Sequence, residues 1–366
     1  FVIGTQTLHA VGMAMAMQRD GLVGNQDPAD DGAAVVYFGD GATSALQNPS
    51  RAFAAAGTYT VVLTATGPGG SSSTSRTVAV TAAAASSAWT FAVVGDTHVA
   101  ASATSIPAEL VASMLADRPS LVLIPGDIVE AGLGASKATL RSQLELFKTV
   151  TAPLTSAGIP IYPIRGNHEN DSAENLAAWS EAFSGSAALP ANGPAGQVGL
   201  TYAFTRNNAL FVGLDDYVDL HRVDQAWLEA TLAANTRPHV FVFGHEPAFK
   251  VRHDDCLDDH PTERNAFWSS LSRAGAQVYF CGHDHFFDAS RIDDGDGNPG
   301  NDLVQLVVGT GGGSLFSQYA SNGDNAPYAP KGLFHEAEFG YLLVEVSGSD
   351  SQDLGVKMTW KKRTVS

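Results

Sequence analysis

Five strand-like runs between residues 89 and 281 each end in a glycine followed at once by a side chain able to bind a metal ion. They close on Gly95-Asp96-Thr97-His98, Gly126-Asp127, Gly166-Asn167-His168-Glu169, Gly244-His245 and Gly282-His283-Asp284-His285. A chain of this kind must bring five strand ends to one place. Open α/β sheets do so, because their functional groups gather beyond the carboxyl ends of the strands. Asp96 and His98 are one residue apart, so an extended backbone aims both the same way, and His283 and His285 repeat the arrangement. A lone Asp-x-His or Gly-Asn-His is weak evidence, since a histidine closing a strand usually packs or caps. Five such motifs, each at a strand end, are specific. A set of oxygen and nitrogen ligands without thiolate suits Zn, Mn or Fe.

The spacing between the motifs predicts helices. Strands are expected at 89–94, 121–124, 160–164, 209–214, 239–243 and 277–281, with further strands at 303–308, 341–346 and 356–360. Helices are expected at 108–116, 137–156, 173–183, 225–233 and 263–273, with Asp224 as an N-cap. Apolar strands between helices imply a sheet core covered by helices on its outer faces.

Residues 33–82 read differently. Strands are expected at 35–38, 57–64 and 75–80, with Gly39-Asp40-Gly41 as a tight turn, which is the pattern of a small β-sandwich. Phe38-Gly39-Asp40-Gly41, Asn48-Pro49 and Gly57-Thr58-Tyr59-Thr60-Val61 resemble a PKD-type immunoglobulin-like module, with Tyr37 where that family usually has tryptophan. Residues 1–30 show alternation without a clear period, and the opening strands of such a module are not recognisable there. The low-complexity run Thr81-Ala82-Ala83-Ala84-Ala85-Ser86-Ser87-Ala88 reads as a linker. The expected domains are therefore 1–82 (PKD-like), a linker at 83–88, and 89–366.

The order of the five motifs resembles the calcineurin-like metallophosphoesterases, including their purple acid phosphatase branch, over residues 89–350. The resemblance implies a four-layer α/β/β/α sandwich, preceded here by the immunoglobulin-like module. It implies two metal ions, divalent or trivalent. Asp96, His98, Asp127 and His285 would hold one, and Asp127, Asn167, His245 and His283 the other, with Asp127 bridging. Two adjacent cations lower the pKa of a water, so that hydroxide can attack phosphorus near neutral pH. His168 lies outside both sets, and the resemblance gives it the phosphate or the leaving oxygen. Asp127 and His168 are thus the expected catalytic residues. Glu169 is expected to orient a neighbour from behind. In the purple branch a tyrosine ligand follows the bridging Asp by three residues, where this chain has Glu130, and a glycine stands where it has His98. His98 is expected to replace that tyrosine, so no tyrosinate-to-iron colour is expected.

Around these motifs, Arg165, Asn167, His168 and His253 are the expected substrate contacts. Arg165 has an alternative reading as half of a structural ion pair, and Lys250, Arg252 and His253 an alternative as a solvated loop. Asn170 and Asp171 are placed at the mouth. His221, His239, His260 and His335 stand in no motif and read as structural or surface residues. Asp294, Asp296, Asn298 and Asp302 resemble a Ca²⁺ loop by their alternating oxygens, but lack the bidentate Glu of an EF-hand; a solvated acidic hairpin is the alternative. Gly309-Thr310-Gly311-Gly312-Gly313 is expected to let the backbone pass close to the metal site. Cys256 and Cys281 are read as one disulfide pinning an acidic loop, against two unrelated thiols.

Charge limits the partners. The net charge is −17 and the pI about 4.9, with 21 Lys plus Arg and no basic run, so nucleic acid is not an expected partner. No apolar stretch is long enough to span a membrane. Residues 1–17 carry three Met and no cationic start, a poor signal peptide, while the PKD-like module points to a secreted, cell-surface or periplasmic protein. The expected function is hydrolysis of small phosphate esters, monoesters ahead of diesters. A phosphodiesterase or nucleotide-directed hydrolase on the same site is the first alternative. A non-catalytic adhesion protein, contacting polysaccharide or a cell surface through the PKD-like module, is the second.

Overall fold

The computed structural model describes residues 33–37, 43–44, 57–67, 70–80 and 88–363, except 133, 171, 318–324 and 348–354. The chain divides into two compact units, 1–86 and 87–366. The expected turn at Gly39-Asp40-Gly41, the Asn48-Pro49 pair, most of the linker, residues 1–30 and Asp171 lie outside the described residues.

In the first unit, β1 (Ala33–Tyr37), β2 (Thr43–Ser44), β3 (Gly57–Gly67) and β4 (Gly70–Val80) form one antiparallel sheet in the order β2-β1-β3-β4. β3 and β4 make a long hairpin, in register from Gly57 opposite Val80 to Gly67 opposite Gly70. Thr64 faces Ser73 across it, with their hydroxyls 2.8 Å apart, a cross-strand pair of the kind that fixes register.

The second unit holds two sheets. The first contains β5 (Trp89–Val93), β6 (Val122–Ile124), β7 (Ile161–Pro163), β15 (Gly340–Ser347) and β16 (Gly355–Lys362), in the order β16-β15-β5-β6-β7. The second contains β8 (Tyr202–Arg206), β9 (Ala209–Gly213), β10 (His239–Phe243), β11 (Val278–Cys281), β12 (Phe287–Asp293), β13 (Leu303–Val308) and β14 (Ala329–Glu336), in the order β14-β12-β13-β11-β10-β9-β8. β5-β6-β7 and β9-β10-β11-β13 are parallel runs.

Five α-helices flank the sheets among the described residues: α1 (Ser105–Asp117), α2 (Lys137–Ser156), α3 (Ala173–Ala182), α4 (Gln225–Ala233) and α5 (Pro261–Arg273). Local chemistry sets their starts. The side chains of Ser136, Ser172 and Asp224 each accept a backbone N–H three residues on, and Pro261 opens α5 where its missing N–H costs nothing. None of the described helices is long and apolar enough to cross a membrane.

Alternation within buried strands builds the layers. In β10, Phe241 and Phe243 join the core shared by both sheets and α1–α3, while Val240 and Val242 face the second core with Leu228, Leu232, Phe267 and Leu271 of α4 and α5. The sheets meet through aromatic edges: the Phe91 ring lies 5.2 Å from Phe211, 4.9 Å from Phe241 and 6.0 Å from Phe280. Burying each such ring stabilises the fold by about 1.5–3 kcal/mol. The result is helices, sheet, sheet, helices, with all five motif-bearing strands ending at the same edge.

Cys256 and Cys281 are buried free thiols, which corrects the expected disulfide. Cys281 turns into the outer core, where its Sγ lies 3.5 Å from the Leu306 carbonyl. Burial pushes both thiols well above their ordinary pKa, and oxidation proceeds through the thiolate that burial disfavours.

Candidate metal centre

Tight turns at the strand ends aim the ligands. Asp96, His98, Asp127 and His283 all have positive φ, at 55°, 44°, 49° and 69°. The left-handed region costs a non-glycine residue on the order of 1–2 kcal/mol. Here cross-braced main chains hold it: Asp96 N–H donates to Gly126 O and His98 N–H to Asp127 O, both at 3.1 Å. Strain of this kind concentrates at functional sites. Gly166 and Gly282 are required by close approach, since a Cβ on either would strike the carboxylate of Asp127 or Asp96. The glycine run after β13 behaves as expected, with Gly311 N–H donating to Gly95 O and Gly313 N–H to Asp96 O at 2.9 Å each.

Asp96, His98, Asp127 and His285 turn ligand atoms into one space, within 4.8 Å of one another. Asp127 Oδ2 lies 3.5 Å from Nε2 of both His98 and His245, and Asp96 Oδ1 lies 3.4 Å from His285 Nε2. On the far side of Asp127, Asn167 Oδ1 is 3.0 Å from His245 Nε2 and 3.1 Å from His283 Nδ1.

The outer nitrogens decide the tautomers. His245 Nδ1 is 2.9 Å from Pro125 O and His285 Nδ1 is 2.9 Å from Ser314 O. Carbonyls only accept, so each Nδ1 carries the proton and each Nε2 presents a lone pair inward. His98 repeats this with Glu130 Oε2 at 2.8 Å, and its buried Nε2 has no hydrogen-bond partner. Lone pairs thus face carboxylate and amide oxygens, acceptor against acceptor. A cation satisfies that arrangement, so the donor set fits metal ions.

Without a cation, protons must do the same work. Burial opposes it, yet Asp127, Asp96 and Glu130 push His98 up to about 9. His245 is likewise raised well above its ordinary value, against burial, chiefly by Asp127. Burial would raise Asp127, but the surrounding imidazoles hold it well below the usual carboxylate range.

The supporting shell comes next. Buried Glu169 accepts Val129 N–H at 3.0 Å and Gly166 N–H at 2.8 Å, joining two motif turns; burial, then the charge of Asp127, pushes it up to about 7. His168 is less buried. Its N–H donates to Asp127 Oδ1 at 2.9 Å, its Nδ1 lies 2.9 Å from Glu130 O, and its Nε2 lies 3.9 Å from Asp127 Oδ2.

Arg165 is buried, with Nε 2.7 Å and Nη2 3.0 Å from the carboxylate of Asp215, and Nη1 3.0 Å from Asn170 Oδ1. That is the ion-pair geometry of the alternative reading: the guanidinium ties the 165–170 turn to the end of β9. His253 packs 4.5 Å from the His283 ring, with Nδ1 2.7 Å from Asp284 Oδ1. The acidic hairpin between β12 and β13 brings Asp293, Asp294 and Asp302 together. Asp296 and Asn298 instead accept turn N–H groups, and Asp302 pairs with Arg291 at 2.8 Å. Of the four residues expected to hold Ca²⁺, Asp294 and Asp302 thus meet, with Asp293 as their third carboxylate.

Sequence reasoning missed several supports. Asp216 Oδ2 accepts the N–H groups of His245 and Glu246 at 2.8 and 3.0 Å, and burial with Glu246 pushes it well above the carboxylate range. Glu246 in turn meets His221 Nδ1 at 2.8 Å. Asp284 accepts the N–H groups of Arg252 and His253, and Asp255 lies 3.4 Å from His283 Nε2. The available signal was Asp215-Asp216 following β9, the strand-glycine-carboxylate pattern of the ligand motifs with Leu214 inserted after Gly213.

The sequence model of the calcineurin-like phosphoesterases matches residues 90–287, a span that holds all five motifs. The chain belongs to that family. Its larger unit is a phosphoesterase domain of the metal-dependent class. The PKD domain matches residues 10–82. No curated protein matches the sequence. Among solved structures, the chain resembles the purple acid phosphatase PPD1 from yellow lupin (Lupinus luteus) seeds at TM-score 0.56 and 17% identity, over 82% of this chain and 58% of the lupin chain. It resembles PhoD at TM-score 0.51 and 14% identity, over 93% of this chain and 84% of that one. It also resembles GAP50, the anchor in the inner membrane complex of Plasmodium, at TM-score 0.51 and 15% identity, over 76% and 90%. At these identities the likeness is one of fold. This chain spans little more than half the length of the lupin protein.

Proposed function

We propose that the protein hydrolyses small phosphate esters at a centre for two metal ions, monoesters ahead of diesters. Asp96, His98, Asp127 and His285 hold one ion. Asp127, Asn167, His245 and His283 hold the other. The observation that carries this reading is the opposed lone pairs: Asp127 Oδ2 stands 3.5 Å from two inward-facing Nε2 atoms, those of His98 and His245, and Asn167 Oδ1 faces the same His245 Nε2 and a third ring nitrogen, His283 Nδ1. The bound ions supply an acidified water and positive charge for the phosphoryl oxygens.

The chain's own groups do the rest. Asp127 shares its carboxylate between the two sets. His168 turns its Nε2 to the same space, with Nδ1 held by the Glu130 carbonyl, and as the doubly protonated ring gives its Nε2 proton to the leaving oxygen there. Asn167 holds an amide oxygen inward and leaves its NH₂ for substrate. Glu169 stiffens the two turns that carry Asp127 and His168.

Purified protein loaded with Mn or Zn and given p-nitrophenyl phosphate beside bis-p-nitrophenyl phosphate tests this. Turnover of the monoester, with about two metal ions per chain by elemental analysis, is expected. Fewer than one ion after loading sinks the reading, and faster diester turnover reverses the preference. An adhesion role without catalysis is disfavoured because all eight expected positions, His168 included, are filled. The PKD-like module, taken as 1–82, supports a secreted or surface location and contact with polysaccharide. Recovery of the native protein only from cytosol would count against both.

A further inference from the structure

Glu130 stands at the end of the Gly126-Asp127 turn, where the purple branch has its tyrosine. Val129 bridges in parallel to Val99, and Glu130 N–H donates to Val99 O at 3.3 Å, so residues 98–99 and 129–130 run side by side. Two contacts leave this one residue. Its carboxylate Oε2 lies 2.8 Å from His98 Nδ1, and its main-chain carbonyl lies 2.9 Å from His168 Nδ1. The two rings pack edge to face at 4.4 Å. The carboxylate itself is exposed, at 56% of its side-chain surface, so it fills no core.

We propose that Glu130 is a positioning residue that couples the metal shell to the proton-transfer histidine. The carboxylate accepts the His98 Nδ1 proton, which turns Nε2 inward and makes the ring a stronger donor. The carbonyl accepts the His168 Nδ1 proton, which turns that Nε2 to the same space. Both imidazoles are thus referenced to one residue beside Asp127, and their separation is fixed with it. This rests on the phosphoesterase reading above for His168, and on the donor set alone for His98.

The side chain can be removed while the carbonyl stays, so the two contacts separate. In the full-length protein, Glu130→Ala is expected to weaken one of the two Zn or Mn sites by about 10–100-fold, measured by competition with a chelating indicator. kcat on p-nitrophenyl phosphate should fall with it while KM changes little, because the His168 contact persists. Glu130→Gln keeps an acceptor oxygen and should stay within about threefold of the parent in both readouts. Unchanged metal affinity in Glu130→Ala would make Glu130 a solvated surface carboxylate and overturn the proposal. So would Glu130→Gln as impaired as Glu130→Ala, or loss of fold in both by thermal melting. If the parent binds two ions and cleaves no ester, the functional reading falls, while the metal titration still decides the role of Glu130.

Discussion

Two acidic clusters in the larger unit look alike in sequence and differ in construction. At the strand ends, Asp96 and Asp127 are buried and faced by imidazole lone pairs whose outer nitrogens are pinned by Pro125, Ser314 and Glu130. In the hairpin after β12, Asp293 and Asp294 are only partly buried and, like Asp296, themselves accept N–H groups of the hairpin's own turn, while Asp302 pairs with Arg291. The first cluster is organised from outside and leaves its donors aimed inward. The second satisfies itself. Pinned orientation under burial, rather than carboxylate density, distinguishes a site for a cation from a solvated acidic turn.

The sharpest way to break that contrast is at Asp127. Asp127→Ala removes the one group that both ligand sets share, and is expected to abolish measurable turnover and lower metal content; turnover surviving with both ions bound would end the shared-carboxylate assignment. His168→Ala comes next, with turnover down about 10²–10⁴-fold and metal content intact. Loss of an ion in that variant would make His168 a ligand.

A third test uses pH. In chelator-treated protein His98 is raised from 6.5 to about 9, so its protonation stabilises the fold fully below pH 6.5, and that contribution is lost as pH rises through about 9. Glu169, raised from 4.5 to about 7, loses its contribution earlier in the same direction. Metal-loaded protein has the ions in place of the protons. The gap in Tm between loaded and chelated protein should therefore widen from pH 6.5 to 9, by differential scanning calorimetry, and a narrowing gap would contradict the site's electrostatics. The smallest effect belongs to the hairpin. Asp294→Asn should change metal content not at all and stability by about 0.5 kcal/mol or less in chemical denaturation. A lost ion there would make the two clusters equals.

Much of the fold was legible because its signals are local. The strands that carry ligands and all five helices lie where periodicity put them, since apolar runs, the Asp224 cap and Gly turns act over a few residues. In the larger unit three strands were missed for equally local reasons. β8 is five residues with a polar end. β12 reads Phe-Asp-Ala-Ser-Arg-Ile-Asp directly after a ligand motif. β14 carries Pro330 and Lys331, as befits an edge strand. The supporting shell was less legible. Asp216 holds the His245 turn from 29 residues away, and Glu130 meets His98 from 32. Arg165 looked able to meet substrate, but Asp215, 50 residues on, takes its guanidinium.

The sequence by itself determined the inventory: which ligands exist, that each follows a strand, and that thiolate is absent from the set. Strand propensity and glycine turns are properties of neighbouring residues, so one chain suffices to read them. Only the tertiary structure decided which nitrogen of each histidine faces inward, that Cys256 and Cys281 stay apart as thiols, and that Asp96 braces His283 across 187 residues. Those outcomes depend on which acceptor lies within about 3 Å once two sheets have packed, and hydrogen bonds of that range are set by the packing of distant segments.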